Sequence, residues 1–199
     1  MLYLATPSGE RVREAIQKGS LGQLITPNSG NKKVNNAIWA LDNGCFSDKW
    51  SEPKWLTCLN KYQGVRDCLF ACCPDVVGDA SATNELWDQW SLTIQSMGYA
   101  AAYVTQNGCT SIPSNADALF TGGDDEWKLG PDAQSLVVTA KARGLWCHMG
   151  RVNSRKRIQY ANRCGYDSVD GTMLAFGPNK YLPKLLQWME EVNTQGVLL

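Results

Sequence analysis

Apolar residues recur along this chain in two alternating patterns. Short runs rich in β-branched, aromatic or small apolar residues, each ending in Gly, Asn, Asp, Arg or Thr, fall at 2–6, 21–26, 37–43, 68–75, 101–107, 118–123, 145–151 and 168–171. Runs of that length, bounded by turn residues, read as buried strands. Between them lie longer stretches with apolar residues at helical spacing, clearest at 10–18, 53–62, 82–97, 132–143, 154–164 and 180–193. Gly19, Gly64, Gly98, Gly144 and Gly165 follow helical stretches at the position where a left-handed residue closes the last turn. Two connections, 27–36 and 108–115, carry Pro, Ser, Asn and Gly and read as loops. Eight strands with mostly helical crossovers predict a compact (β/α)8 barrel, one domain over 1–199, near the lower size limit of that fold. The rival architecture is an open doubly wound sheet, which needs fewer strands.

Composition narrows the class. With 44% hydrophobic and 19% charged residues the chain is an ordinary globular protein, which excludes disorder, collagen and coiled coil. Nineteen basic against nineteen acidic residues leave no net charge, so a polyanionic partner has to be held by a local patch. No apolar run is long enough for a membrane helix and residues 1–6 are too short for a signal-peptide core, so a cytoplasmic location with no membrane partner is expected. Eight cysteines in such a compartment are expected to be reduced, and the adjacent Cys72 and Cys73 suit no simple disulfide framework. A single histidine, His148, and the absence of any C-x-C or C-x2-C pair predict no metal, and no cofactor is expected.

The predicted strands end in polar residues: Asp42 and Asn43, Asp75, Gln106 and Asn107, Gly122 and Gly123, His148 to Arg151, and Asp170. In a parallel barrel these ends share the rim on which active sites are built. Two desolvated carboxylates there, Asp42 and Asp170, are the minimal equipment for displacement at a sugar carbon, one attacking C1′ and the other moving protons. A helix cap or loop turn is the plainer role for either alone. Gly122 and Gly123 let a flat ligand approach backbone amides, or simply make a turn. Gln106 has the amide to read a base edge, or is a solvated loop residue. Arg151, Arg155, Lys156 and Arg157 gather where the helix after the seventh strand begins, either as a phosphate site or as a solvated helix face. His148 reads as a hydrogen-bonded barrel residue, and Trp87 and Trp90 as core packing.

Taken together these segments resemble the tRNA-guanine transglycosylase superfamily, which includes phage and bacterial enzymes that insert 7-deazaguanines into DNA. Trp39-Ala-Leu-Asp-Asn-Gly-Cys-Phe46 is similar to the family's Asp-Ser-Gly-Gly-Phe/Tyr-Gln, whose Asp transfers protons; that role falls on Asp42. Ala102-Tyr-Val-Thr-Gln-Asn-Gly108 resembles the strand whose Gln contacts the base, here Gln106, and Leu119-Phe-Thr-Gly-Gly123 the Gly-Gly segment whose backbone meets it. His148-Met-Gly150 resembles the family's next strand end. Cys164-Gly-Tyr-Asp-Ser-Val-Asp-Gly171 resembles the segment whose final Asp is the covalent nucleophile, here Asp170. The base-reading carboxylate of the fourth strand falls on Asp75, with Asp79 second. Asn43, Cys45 and Ser47 depart from the family's Ser, Gly and Gln, and the zinc cluster of the tRNA enzymes has no counterpart.

The resemblance implies an enzyme that exchanges a guanine or 7-deazaguanine-type base in nucleic acid, DNA rather than tRNA, through a glycosyl ester on Asp170. A DNA glycosylase leaving an abasic site, and a barrel that binds nucleic acid or nucleotide without turnover, are the alternatives.

Overall fold

The protein is described by a computed structural model over residues 1–47 and 50–195. Its strands are β1 (Leu2–Ala5), β2 (Gly22–Ile25), β3 (Trp39–Leu41), β4 (Cys68–Cys72), β5 (Ala101–Thr105), β6 (Ala118–Thr121), β7 (Trp146–Met149) and β8 (Ser168–Asp170). Each lies inside a predicted run, because the residues at the ends of the runs leave the ladder for the rims. The strands pair in chain order, all parallel, and β8 returns to β1 with Leu2 opposite Ser168 and Leu4 opposite Asp170. This closed barrel excludes the open sheet.

The helices among the described residues are α1 (Glu10–Gln17), α2 (Glu52–Tyr62), α3 (Ala80–Ser96), α4 (Asp125–Leu129), α5 (Pro131–Ala142), α6 (Arg155–Arg163), α7 (Met173–Phe176) and α8 (Pro178–Gln195). No helix spans the β2–β3 or β5–β6 connection, as the loop composition predicts. The hydrophobic pattern does not predict the short α4 and α7. The five glycines expected to end helices all have φ between 74° and 87°, the left-handed conformation that costs glycine least. No described helix is long and apolar enough to cross a membrane.

Strand alternation sorts the core into two layers. Leu4, Leu24, Ala40, Phe70, Cys72, Ala102 and Val104 fill the barrel with Phe120 packed against them, while Tyr3, Ile25, Trp39, Leu41, Tyr103, Leu119 and Val169 face the helices. Each fully buried Leu or Phe contributes roughly 1.5–3 kcal/mol, so one residue of register slip would be costly in every strand. The same period of two carries the interior row onto the rim: two residues past Ala40 is Asp42, past Val104 is Gln106, past Phe120 is Gly122, and past Ser168 is Asp170. Asp75 arrives off this alternation, after Pro74, which has no N–H to continue the β4 ladder.

Candidate active site

The rim encloses a pocket of about 220 Å³. Leu4, Leu24, Val104 and Phe120 form its apolar floor, and Asp42, Asp75, Gln106, Gly122, Gly123, Arg151 and Asp170 line its wall. The structure therefore brings together most of the residues singled out from the sequence. It does not bring Asp79, whose exposed side chain caps α3 by accepting from the Ala82 N–H at 3.0 Å.

On the β3–β5 side, Asp75 is held by two amides. Asn43 Nδ2 donates to its Oδ1 at 2.6 Å and Gln106 Nε2 to its Oδ2 at 2.5 Å. Asn43 also donates to the Cys73 carbonyl at 2.6 Å and accepts from the Cys45 N–H at 2.8 Å, so it ties the end of β3 to the end of β4. Gln106 Oε1 accepts from the Gly78 N–H at 2.9 Å, which fixes the amide and leaves one N–H of Nε2 unused in these bonds. Burial pushes the Asp75 carboxyl up to about 6, against the pull of the two amides. Asp42 goes further, to about 7, chiefly through burial and then through the charges of Asp170 and Asp75, with the Asn43 and Gly44 N–H groups opposing.

On the β6–β8 side, Asp170 Oδ2 lies 2.9 Å from His148 Nε2 and Oδ1 accepts from the Arg151 N–H at 3.1 Å. His148 is fully buried between Phe70 and Phe120, and its Nδ1 lies 2.8 Å from Ser168 Oγ, which accepts from Trp146 Nε1 at 2.8 Å. The histidine is thus the hydrogen-bonded barrel residue expected, and it positions the carboxylate. Arg151 has a φ of 60°, rare for a residue with a side chain, and this turn sets its N–H on Asp170. Its guanidinium donates to the Gly123 carbonyl at 2.7 Å and lies 4.1 Å from the centroid of the exposed Phe46 ring. Gly122 has no room for a side chain: a Cβ would sit 2.7 Å from Gln106 Nε2 and 2.9 Å from the Thr105 carbonyl.

The other cations of the expected phosphate site diverge. Arg155 pairs with Glu191 of α8 at 2.7 Å, Arg157 reaches Asp125 of α4, and Lys156 is exposed. Only Arg151 of the four lines the pocket. Sequence reading missed one cation there altogether. Lys128 of α4 lines the pocket at 1% exposure, its Nζ 3.2 Å from the Gly150 carbonyl. Burial, and next the charge of Arg151, lower its pKa.

The cysteines nearest the pocket, Cys45, Cys72 and Cys73, are free, and burial pushes all three thiols up, away from nucleophilic thiolate. Among the described residues no three His, Cys, Asp or Glu side chains gather as a metal site.

No protein-family model matches this chain, and no curated protein is significantly similar to it. Its fold is similar to that of solved structures. A chain of the Amycolatopsis orientalis BexX/CysO complex aligns with a TM-score of 0.56 at 10% identity, over 98% of this chain and 89% of that one. Tryptophan synthase from M. tuberculosis, in an aminoacrylate- and BRD0059-bound form, aligns with a TM-score of 0.49 at 13% identity, over 92% of this chain and 64% of that one. At 10% identity the first likeness concerns the fold alone. The class defined is a parallel eight-stranded barrel with a carboxylate-lined pocket at the C-terminal ends of its strands.

Proposed function

We propose that this barrel acts on the N-glycosidic bond of a guanine-type base in nucleic acid, DNA rather than tRNA, exchanging it for guanine or a 7-deazaguanine. The observation that carries the reading is the placement of two carboxylates of different character in one pocket: Asp170, oriented by His148 and the Arg151 N–H, and Asp42, poised near neutrality. A nucleophile needs a fixed orientation, and a proton carrier needs a pKa near the working pH. The order of Asp42, Asp75, Gln106, Gly122 and Asp170 round the rim agrees with what the resemblance to the transglycosylases implies.

In this reading a carboxylate oxygen of Asp170 attacks C1′ as the C1′–N bond breaks. The bonding pair leaves with the base, which takes the proton of the Asp42 carboxyl. The incoming base then attacks C1′ of the glycosyl ester, the C1′–O pair returns to Asp170, and Asp42 recovers the proton from the ring nitrogen. Asp75, an acceptor held by Asn43 and Gln106, suits the N–H donors on the pairing edge of guanine. A base inside a duplex must first leave the stack, at a cost of a few kcal/mol.

The test is mass spectrometry of nucleosides and free bases after incubation with DNA, with and without added 7-deazaguanine. Release of guanine matched by incorporation of the added base is expected, and Asp170→Asn should abolish both while the protein stays folded. Release without incorporation, leaving abasic sites, would mean that water takes the second base's place. No release under either condition would overturn the reading in favour of a binding barrel.

A further inference from the structure

Lys128 is the feature of this pocket that base exchange does not use. It is among the largest fully buried side chains of the protein, yet it borders the pocket. An ammonium carries three donors, and burying one uncompensated is expensive. Here one donor has the Gly150 carbonyl at 3.2 Å. The carboxylate facing it, Asp125 Oδ1, is 3.6 Å away, beyond hydrogen-bond reach. That aspartate is itself 58% exposed and shared with Arg157, so it neutralises Lys128 weakly. The next cation, Arg151, adds to the positive charge on this side. Of the pocket carboxylates, Asp42 and Asp75 lie at the ends of β3 and β4, while Asp170 of β8 attracts Lys128 less than Asp125 does and has its own oxygens on His148 and the Arg151 N–H. The pocket thus has one wall with spare positive charge and spare donors, between the ends of β6 and β7.

We infer that Lys128 holds an anionic oxygen of the bound substrate. The inference deepens the base-exchange reading and rests on it. If C1′ meets Asp170 at β8 and the pairing edge of the base meets Asp75 at β4, one of the two remaining edges of a purine faces β6 and β7. Placed there, the edge carrying O6 and position 7 presents oxygen to Lys128, and a carboxylate on C7 of a 7-deazaguanine would complete the ion pair that Asp125 leaves unfinished. A phosphate of the nucleic acid offers the same chemistry, and the experiment separates the two sources.

The experiment is calorimetric titration of the intact protein with three probes: 7-deazaguanine, 7-deazaguanine bearing a carboxylate at C7, and inorganic phosphate. Each is measured with the natural protein, with Lys128→Met, which keeps the apolar stem, and with Lys128→Gln, which keeps a donor without charge. Thermal melting establishes that the variants fold. The natural protein is expected to bind the carboxylated base about ten-fold or more tightly than the plain base, the scale of a hydrogen bond to a charged group, and both variants to lose that preference while still binding the plain base. Phosphate binding that disappears in both variants, with no preference between the bases, would support the oxyanion site and assign it to the nucleic-acid backbone. Equal binding of the two bases, with phosphate binding absent or indifferent to Lys128, would overturn the inference and leave the base-exchange reading standing. Failure of all three probes to bind would overturn both.

Discussion

Asp42 and Asp75 titrate above the ordinary carboxylate range, at about 7 and about 6 against 3.8, and both shifts come first from burial. A raised carboxyl means that the folded protein holds protons the unfolded chain has released. Stability from these groups is therefore fully present below about pH 4 and is lost as pH rises through the folded values. Asp42→Asn removes one such cost. Its stability relative to the natural protein is expected to grow between pH 4 and pH 8 by up to about 4 kcal/mol, read from denaturant unfolding at both pH values. The same residue separates the two halves of the proposed reaction. Release of the first base needs Asp42 protonated and should slow above about pH 7, whereas incorporation needs it ionised and should slow below that value. Single-turnover rates of release and incorporation across pH 5.5–8.5, a span set on either side of that value, check the opposed profiles. Asp42, Gln106 and Asp170 were legible in the sequence because each follows an apolar run at the spacing that carries the barrel interior onto its rim. Lys128 was not, since a lysine in an acidic, polar stretch reads as solvated, and only its packing under the β7 rim shows otherwise.

At the scale of elements, the eight strands could be read because each combines a buried run with turn residues, and the six longer helices because they span enough turns to show a period. The five residues of α4 and the four of α7 are too few to show one. The two candidate carboxylates after β4 illustrate the same limit. Asp75 and Asp79 look alike in sequence, but one faces the pocket and the other caps a helix. Asp79→Ala should cost about 1 kcal/mol of stability, the usual worth of such a cap, and leave base exchange unchanged, whereas Asp75→Ala should impair exchange. A glycine at a strand end gives a sharper test of geometry. A Cβ on Gly171 would lie 2.6 Å from the Tyr3 hydroxyl and 2.7 Å from the Val152 carbonyl, and the latter is backbone. Gly171→Ala is therefore expected to destabilise the protein by about 1–3 kcal/mol and to displace the neighbouring Asp170, measured as a lower denaturant midpoint together with lost turnover.

For the molecule as a whole, zero net charge means that any grip on nucleic acid is local. Four neighbouring cations suggested a single phosphate track in the sequence, but the fold commits Arg155 to α8 and Arg157 to α4 and leaves Arg151 on the pocket. That division arises from helix packing, which linear spacing does not encode. Under the proposed function, Arg151→Gln should flatten the dependence of DNA binding on salt by about one unit on a log-log plot, and Arg155→Gln should leave it nearly unchanged. Fluorescence anisotropy over a salt series checks both, and equal slopes for the two variants would count against Arg151 as a phosphate contact.

Closure of the barrel also fixes the order in which its chemistry can come into being. Asp42, Asp75 and Gln106 belong to the first five strands and their ends, whereas Asp170 lies in the last strand, the one that must dock on the first to seal the ring. In the proposed reaction, the ribosome therefore delivers the residues that would cradle a base well before the one that would cut it loose. A chain halted before Ser168 lacks Asp170, the proposed nucleophile, and one that has β8 but has not yet sealed it lacks the orientation that His148 and Arg151 give to Asp170. Under the proposed function, base release therefore waits on the completion of folding.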